Sequence, residues 1–363
     1  MSWRVASIIE ELKDAYRGVR CALACVSGGV DSAVAAILAK KALGDRVYSV
    51  FIDTGFMREG EAEFVRESLK GLLDVEVYDY SEEVVSAVEG LEDAEEKRKA
   101  FRDAFYKSVK SIADEKGCEW IVQGTIKADV IETSSGIKTQ HNVLNNELLG
   151  KYGLRVIEPL RNLYKHEVRE LANYLGISKS IVERQPFPGP GLCIRAVGKL
   201  TREKLNLVRK ATSIVERYLE GRGYSQYFPA IWEYSVIEKG RLNGIEYDVF
   251  SVKVTGISSG CRSYGNPVVI TNWHNVGVEV YELYKLFNTN ENPHVLIKVL
   301  ERNSGMYLVA LRAVVSKDFM TAEVPRVDLL ELGPLCEEIT SFPEIRAIAF
   351  DVTPKPPATI EYE

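Results

Sequence analysis

The first half of the chain alternates short apolar runs with segments that carry apolar residues at helical spacing. The runs are nearly continuous in apolar character, which is typical of strands buried on both faces of a parallel sheet. They are VRCALACV, RVYSVFID, DVEVYDY, CEWIVQGT and GLRVIEPL. Strands that alternate with helices predict right-handed crossover units. We therefore expect residues 1–184 to form a doubly wound α/β domain with a parallel sheet.

The second half has a different pattern, and a Pro-Gly-rich segment separates the two. In RQPFPGPGLCIR, Pro186, Pro188 and Pro190 each remove a backbone donor and fix φ. One helix follows, near 202–220, and then come strand-like runs such as YDVFSVKVTGI, HVLIKVL, MYLVALRAVV and IRAIAFDV. Several strands with few helices predict a smaller α+β domain over residues 185–363, with a largely antiparallel sheet.

Charge and hydropathy exclude several classes of protein. The length of 363 residues suffices for two domains, and a net charge of -6 argues against a surface that neutralises duplex nucleic acid. No apolar run approaches the roughly 20 residues that cross a bilayer. Glu10, Glu11 and Asp14 lie where a secretion signal would be apolar. We expect a cytoplasmic protein that binds neither nucleic acid nor a membrane.

The six cysteines form no Cys-x-x-Cys pair and no recognisable metal-binding spacing. They are Cys21, Cys25, Cys118, Cys193, Cys261 and Cys336. In a cytoplasmic protein such cysteines are expected to be buried, reduced thiols.

The segment CVSGGVDSAV interrupts the first strand–helix unit with small residues. Ser27, Gly28 and Gly29 leave the backbone open to a ligand. The helix that begins near Asp31 and Ser32 presents unpaired N–H groups and the positive end of its dipole. Ligands of doubly wound sheets bind at this edge, so the pattern predicts an anion-binding loop. The structural alternative is a tight turn in which Asp31 and Ser32 only cap the helix.

The loop differs from the Gly-x-x-x-x-Gly-Lys-Ser/Thr phosphate loop, because no lysine follows the second glycine. Ser-Gly-Gly-Val-Asp-Ser instead resembles the pyrophosphate loop of ATP pyrophosphatases, which split ATP between its α and β phosphates. The resemblance implies that residues 27–32 hold the leaving pyrophosphate and that Asp31 helps to bind Mg²⁺. Asp53, after the second strand, lies at the edge that meets the adenosine half of the nucleotide in such folds.

Four further stretches indicate which of these enzymes the chain resembles. They are EEKRKAFRDAFY, QGTIKADVIET, QPFPGPGLCIR and the terminus DVTPKPPATIEYE. Together they resemble the GMP synthetase family, in its ATP pyrophosphatase portion and the dimerisation domain that follows, from about residue 20 to 230 and from about 306 to 363. The resemblance implies that Mg-ATP adenylates the C2 oxygen of xanthosine monophosphate (XMP) and releases pyrophosphate. Ammonia then displaces AMP to give GMP.

The resemblance also implies roles for individual residues. Those assigned to ATP are Ser27, Gly28, Gly29, Val30, Asp31, Ser32, Asp53, Gly124, Arg161 and Lys165. Those assigned to XMP are Arg98, Lys355, Thr359, Ile360 and Glu361. Those assigned to catalysis are Asp31, Asp129, Glu132, Lys138 and His141. Asp31 is also the residue assigned to the metal ion. Without the family, the basic residues read as charges on solvated helical faces and the acidic pair in KADVIET as helix-start charges.

The active-site lid departs from the family's pattern. The family has Lys-Ser-His-His-Asn-Val followed by Gly-Gly-Leu-Pro, whereas this chain has KTQHNV followed by LNNE. Lys138 and His141 keep the lysine and one histidine, but Gln140 cannot act as an acid or a base in place of the other. The lost glycines and proline change the hinge of the lid.

Because the chain begins about 20 residues before the pyrophosphate loop, we expect it to lack the amidotransferase domain of whole GMP synthetases. It is therefore similar to the separate synthetase subunit, and the resemblance implies a homodimer and a partner, the glutamine amidotransferase subunit. Free ammonium is expected to support the reaction. Near 234–304 the chain is longer than the family's second domain. We favour an elaboration of the sheet there, with dimer contacts or reception of the glutaminase as alternatives.

Two other functions stay open on the sequence. One is another adenylating enzyme of this type, such as an NAD synthetase or a tRNA-modifying thiolase, although a thiolase usually needs cysteine pairs and a basic RNA surface. The other is a nucleotide-binding regulator without turnover. Turnover of XMP, of nicotinate adenine dinucleotide or of neither would distinguish the GMP synthetase, the NAD synthetase and the regulator.

Overall fold

The computed structural model describes residues 2–134, 150–273, 279–316 and 320–363. Their contacts divide the chain into two compact units: residues 1–87 with 101–189, and residues 88–100 with 190–363. The segment 88–100 thus groups with the second unit although it precedes the Pro-Gly segment. The domain boundary at 184/185 stays a prediction.

The first unit is built on a parallel sheet that has five strands among the described residues. They are β1 (Ala22–Cys25), β2 (Val47–Asp53), β3 (Val75–Asp79), β4 (Trp120–Val122) and β5 (Arg155–Ile157). The order is β3-β2-β1-β4-β5, and every pairing is parallel. The doubly wound α/β prediction is therefore confirmed.

Helices flank this sheet in the crossover pattern that the sequence predicts. Those described are α1 (Ser2–Ala15), α2 (Val30–Leu43), α3 (Glu61–Leu69), α4 (Ser81–Val88), α5 (Ala94–Lys116), α6 (Lys127–Ser134), α7 (Lys165–Tyr174) and α8 (Lys179–Val182). Helix α2 is apolar on nearly all sides and packs against β1, β2, α1 and α7. A helix that is apolar all round must be buried, so the loop before α2 is held by a rigid element.

The order of the strands defines where a ligand can bind. The chain builds β1, β2 and β3 in one direction and then returns to place β4 on the other side of β1. In doubly wound sheets the crevice at the carboxyl ends of the strands, where the order reverses, is the usual ligand site. The loop after β1 and the residues after β4 meet at this edge.

The second unit contains a mixed sheet of seven strands within the described residues. They are β6 (Gln226–Glu233), β7 (Val236–Leu242), β8 (Ile245–Phe250), β11 (Val268–Ile270), β12 (Val295–Glu301), β13 (Tyr307–Val314) and β14 (Ile345–Asp351). The order is β6-β13-β14-β12-β11-β8-β7, and only the pairs β11–β12 and β13–β14 are parallel. A largely antiparallel α+β unit is what the sequence predicts.

The other elements of the second unit are a hairpin and helices. The hairpin is formed by β9 (Val254–Ser258) and β10 (Cys261–Gly265); the described helices are α9 (Arg202–Leu219), α10 (Tyr284–Phe287) and α11 (Gly333–Ile339). The stretch near 234–304 supplies β7, β8, β11 and β12 to the seven-stranded sheet and also forms the hairpin, which is a separate two-stranded sheet. The stretch is therefore an integral part of the larger sheet. No helix in the described ranges is long and apolar enough to cross a membrane.

The structure joins Cys21 to Cys118 in a disulfide, which corrects the interpretation of all six cysteines as reduced thiols. Cys21 directly precedes β1 and Cys118 lies just before β4, and these strands are neighbours in the sheet. Their Cα atoms are 4.8 Å apart, within the usual range for a disulfide. The 97-residue separation in sequence hides this proximity.

We expect this disulfide to stabilise the protein. A bridge that closes a loop of about 100 residues lowers the entropy of the unfolded chain and contributes up to about 5 kcal/mol. Under oxidising conditions, the double variant Cys21→Ser/Cys118→Ser should therefore unfold at lower denaturant concentration, by about that free energy. Cys261→Ser, at an exposed free cysteine, is the control and should unfold like the unchanged protein. Six titratable thiols in the oxidised, denatured protein would contradict the bridge.

Candidate active site

The loop between β1 and α2 is fixed by hydrogen bonds among its own residues. Ser32 Oγ accepts a hydrogen bond from the Ser27 N–H at 3.1 Å and donates one to the Gly29 carbonyl at 2.9 Å. Ser27 Oγ lies 3.1 Å from Ser32 Oγ. Gly29 is the N-cap of α2, and it provides no side-chain cap. The first N–H groups of a helix lack partners within the helix, so an anion can bind them here.

Two glycines of the site are required by close packing. Gly28 has φ +80°, and a Cβ added there would lie 2.7 Å from Glu61 Oε1. A Cβ on Gly124, which follows β4, would lie 2.8 Å from both the Asp31 carbonyl oxygen and the Ser32 nitrogen. The sequence predicts that Gly28 leaves room for a ligand, but protein atoms occupy the position where its side chain would be.

Asp31 is the central charged group of this loop. Its Oδ2 lies 2.5 Å from Lys165 Nζ, at the start of α7. Its Oδ1 is buried and has no hydrogen-bond partner among the residues that the structure describes. Burial raises the pKa of the Asp31 carboxyl, and Asp129 adds to this effect, whereas Lys165 and Arg169 oppose it. An oxygen that is buried and unpartnered is free to ligate a cation.

Three other predicted ATP-site or catalytic residues have protein partners. The Asp129 carboxylate accepts a hydrogen bond from the Ile126 N–H at 3.0 Å in the first turn of α6, and its charge acts on Asp31. Asp53, the last residue of β2, accepts from the Gly55 N–H at 2.8 Å. Arg161 is exposed and forms an ion pair with Glu158. Asp53 lies at the carboxyl edge of the sheet, as the sequence predicts, and Asp129 lies in the helix that follows β4.

The predicted lid residues lie outside what the structure describes. Lys138, Gln140 and His141 fall in 135–149, and the side chain of Glu132 is not described either. Their roles stay predictions.

A buried ion pair beside the loop was not found from the sequence. Glu61, the first residue of α3, is buried, and its carboxylate accepts from Arg184 Nη1 at 2.6 Å and from Nη2 at 2.8 Å. The guanidinium of Arg184 also stacks on Phe64, 4.2 Å from the ring centre. Gly28 packs directly on this pair. Arg184 stands at the start of RQPFPGPG, but its partner Glu61 is 123 residues away.

The predicted XMP residue Arg98 lies in the second unit, on α5. Its Nη2 donates a hydrogen bond to the Glu363 carbonyl, and the adjacent Lys97 forms an ion pair with the Glu363 carboxylate. Lys97 Nζ also donates to the carbonyls of Ala196 at 3.0 Å and Gly198 at 2.9 Å. Without the structure, Arg98 reads as a charge on a solvated helix face, but its side chain is buried.

The predicted XMP residues near the end of the chain belong to one ordered segment, residues 352–363, which we call the tail. Thr359 Oγ1 lies 2.7 Å from Thr255 Oγ1, and Ile360 is buried. The Glu361 carboxylate accepts from Arg195 Nη2 at 2.9 Å and Nε at 3.1 Å, so it is already paired. Lys355 exchanges two main-chain hydrogen bonds with Ala322. The tail is thus held at several points along its length by other residues of the second unit.

Comparisons with known proteins agree with this fold. Residues 4–189 match the NAD synthase family and residues 294–362 match the GMP synthase C terminal domain. The chain is 47% identical to the B subunit of GMP synthase (glutamine-hydrolyzing) from Saccharolobus solfataricus, over 99% of each chain. It is 44% identical to the protein of that name from Sulfurisphaera tokodaii and 39% identical to the one from Methanopyrus kandleri, over 99% of this chain and 98% of each relative.

The parallel sheet, the glycine loop at its switch point and the NAD synthase match define the first unit as an adenine-nucleotide alpha-hydrolase fold. The C-terminal match and the full-length relatives then narrow the assignment. The chain belongs to the family formed by the B subunit of GMP synthase (glutamine-hydrolyzing), a family of ligases.

The charged neighbours of Asp31 should determine the pH at which its carboxyl ionises, and with it the acidic limb of the activity profile. A carboxyl whose pKa is raised ionises at higher pH, so activity that needs the carboxylate is lost as pH falls through that raised value. Lys165→Met removes a charge that lowers the Asp31 pKa, and should move the acidic limb of kcat/KM for ATP to higher pH. Asp129→Asn removes a charge that raises it, and should move the limb to lower pH.

If the acidic limb moved in the same direction in Lys165→Met and Asp129→Asn, this electrostatic coupling would be contradicted. Glu170→Gln, elsewhere on α7, is the control and should leave the limb in place.

The contact between Gly124 and α2 should tolerate no side chain. Gly124→Ala pushes a methyl group against the main chain of Asp31 and Ser32, and overpacking of this kind costs about 1–3 kcal/mol. We expect a lower free energy of unfolding and a higher KM for ATP, measured by denaturant unfolding and pyrophosphate release. Gly18→Ala, where an added Cβ meets nothing within 4 Å, is the control. An unchanged KM for ATP in Gly124→Ala would show that the loop does not depend on this contact.

Proposed function

We propose that the protein catalyses the ATP-dependent amination of XMP to GMP. The single observation that supports the use of ATP is the arrangement of charged groups at the carboxyl edge of the parallel sheet. There a helix N-terminus, the Asp31 carboxylate and the Lys165 ammonium face the same loop. The relatives' name supports XMP as the acceptor, because a GMP synthase makes GMP and amination of XMP at C2 gives GMP.

The first step would be attack of the XMP C2 oxygen on the α-phosphorus of ATP. A P–O bond forms, the bond from the α-phosphorus to the bridging oxygen breaks, and pyrophosphate leaves with that electron pair. The loop from Ser27 to Ser32 would bind the departing pyrophosphate through its N–H groups, and Lys165 would add a positive charge. Charge that develops on a leaving group is stabilised best by donors that are already oriented, and the buried helix α2 orients them.

The residues present fit a magnesium ion beside this loop. Asp31 Oδ1 is buried without a protein partner among the described residues, and Mg²⁺ prefers carboxylate and phosphate oxygens. Asp31 would hold the ion together with the phosphates. When bound, Mg²⁺ would neutralise phosphate charge.

The second step would be attack of ammonia on C2 of the adenylated base. A C–N bond forms, the bond from C2 to the adenylate oxygen breaks, AMP leaves with that electron pair, and the new nitrogen loses a proton to give the amino group. The lid must keep water from the adenylate, because water would hydrolyse it back to XMP. Asp129, Glu132, Lys138 and His141 are the residues that we assign to this region, where Gln140 replaces the family's other histidine.

XMP binding is assigned to Arg98 and to the tail residues Lys355, Thr359, Ile360 and Glu361. The support is that the tail is ordered and that Arg98 donates to its last residue. Because Glu361 is paired with Arg195, its carboxylate would bind the purine through its remaining lone pairs.

The ammonia would come from a separate glutamine amidotransferase subunit. The relatives are each named as the B subunit of an enzyme, which says that those proteins have a partner subunit. We also propose a homodimer, which the family resemblance implies, and a cytoplasmic location, which the sequence favours.

The test is to mix the protein with XMP, MgATP and ammonium and to measure pyrophosphate and GMP. We expect equal amounts of both. Asp31→Asn should lower kcat by roughly 100-fold or more, because it removes the charge beside the leaving group. Asp45→Asn, at an exposed aspartate after α2, is the matched control and should keep full activity.

Other outcomes point to other functions. Pyrophosphate formed with nicotinate adenine dinucleotide, and none with XMP, would move the assignment to an NAD synthetase. ATP binding without turnover of either would indicate a regulator. Equal turnover by Asp31→Asn would refute the role of this carboxylate.

A further inference from the structure

Arg312 lies on β13 of the second unit, and its side chain is fully buried. A buried guanidinium is tolerated only when its charge is paired and its donors reach acceptors. The counter-charge is Asp351, the last residue of β14, with 2.9 Å between Arg312 Nη1 and Asp351 Oδ2. This ion pair fixes the plane of the guanidinium.

The donors of Arg312 hold the tail at two places. Nη1 donates to the Thr353 carbonyl at 3.1 Å, near the start of the tail. Nη2 donates to the Thr359 carbonyl at 2.7 Å, and Nε donates to the Ile360 carbonyl at 2.8 Å. One side chain therefore ties together two separate parts of the tail.

These bonds also orient the neighbouring N–H groups. In a trans peptide, the carbonyl of one residue and the N–H of the next point in opposite directions. Because the carbonyls of Thr359 and Ile360 face Arg312, the N–H groups of Ile360 and Glu361 face away from it. Within the described ranges, neither N–H donates a hydrogen bond to the protein. Arg312 thus turns two adjacent donors of the tail to the side opposite itself.

Asp351 joins Arg312 to the rest of the tail. Its Oδ1 accepts from the Thr353 N–H at 2.9 Å, and its Oδ2 accepts from the Tyr362 hydroxyl at 2.7 Å. His294 Nδ1 lies 2.6 Å from the same Oδ2. Burial acts to raise the pKa of Asp351, but Arg312 and His294 outweigh it and hold the pKa below its usual value. The carboxylate therefore stays charged and keeps the guanidinium in place.

Only an arginine can make this set of contacts. Its planar group carries five N–H donors in fixed directions, whereas a lysine has one nitrogen at the end of a flexible chain. A lysine at 312 could pair with Asp351 or reach a carbonyl, but it could not hold Thr359 and Ile360 in the same geometry.

We propose that Arg312 is a positioning residue for XMP: it fixes the peptide groups of Thr359 and Ile360, and so prepares residues 359–361 to bind the nucleotide. This inference rests on the proposed function, because it takes XMP as the ligand of the tail. Nothing in the proposal requires Arg312 to touch XMP, since its donors are used by the tail and by Asp351.

The first test compares the kinetics of the unchanged protein and Arg312→Lys with ammonium as nitrogen source. We expect Arg312→Lys to raise the KM for XMP at least tenfold and to change the KM for MgATP less than twofold. Arg217→Lys is the matched control, because Arg217, on α9, forms an exposed ion pair with Glu338; it should change neither constant. An unchanged KM for XMP in a folded Arg312→Lys protein would overturn the proposal.

A second measurement needs no variant and therefore stands even when Arg312→Lys fails to fold. Hydrogen–deuterium exchange of peptides that cover 352–363 is followed in the unchanged protein, with and without XMP. If Arg312 has already positioned the tail, the amides that donate within the protein, those of Thr353, Lys355 and Ala358, should exchange slowly in the free protein and slow at most twofold further on addition of XMP. Fast exchange that becomes slow only with XMP would show that the ligand orders the tail, which would overturn the proposal.

The two failures are distinguishable. If the unchanged protein does not turn over XMP, the proposed function is wrong. If it does, and the KM for XMP is unaffected by Arg312→Lys or the free tail exchanges fast, only the positioning role is wrong.

Discussion

The main chain of Gly124 touches the first turn of α2, and the geometry of the proposed ATP site depends on this contact. It holds the end of β4 against the loop that follows β1, at the point where the strand order of the sheet reverses. The loop N–H groups and the main chain of Asp31 are placed by it. A phosphate-binding site needs donors that are fixed before the ligand arrives, and a contact between two main chains provides that rigidity.

Two aspartates of the chain illustrate how the same carboxylate serves binding or structure. Asp31 has a lysine on one oxygen, while the other oxygen is buried with no partner in the described ranges. Asp351 is also buried, but both of its oxygens accept from protein donors. A buried polar atom without a partner is costly unless a ligand satisfies it. Asp31 is therefore suited to bind a ligand, and Asp351 to hold the Arg312 side chain in place. The difference lies in the neighbours of each side chain.

The tail shows a related use of buried charge. A chain terminus is ordinarily frayed, but here Tyr362 and Glu363 are buried and the carbonyls of Thr359 and Ile360 are taken by Arg312. The family assignment suggests a function for this ordered tail, because residues proposed to bind the substrate are then already arranged before the substrate binds. Pre-arrangement reduces the loss of conformational entropy on binding, and with it the free-energy cost of binding.

Local pattern in the sequence determined the architecture of both units. The apolar runs and the helical spacing predicted the parallel sheet, and the Ser-Gly-Gly-Val-Asp-Ser loop and the terminal motif predicted the family. Apolar periodicity and short motifs are local, so they can be read without knowing the fold. The same local rules place Arg98 on a solvated helix face, although it is buried; only the family resemblance drew attention to it.

The tertiary structure alone decided which distant side chains meet. The bridge from Cys21 to Cys118, the pairing of Glu61 with Arg184 and the contact of Arg312 with Thr353 join residues 41 to 123 positions apart. The tertiary structure also showed that Glu361 is already bound to Arg195. Such pairs depend on strand order and on which face each side chain occupies, and neither is encoded in the spacing of residues along the chain.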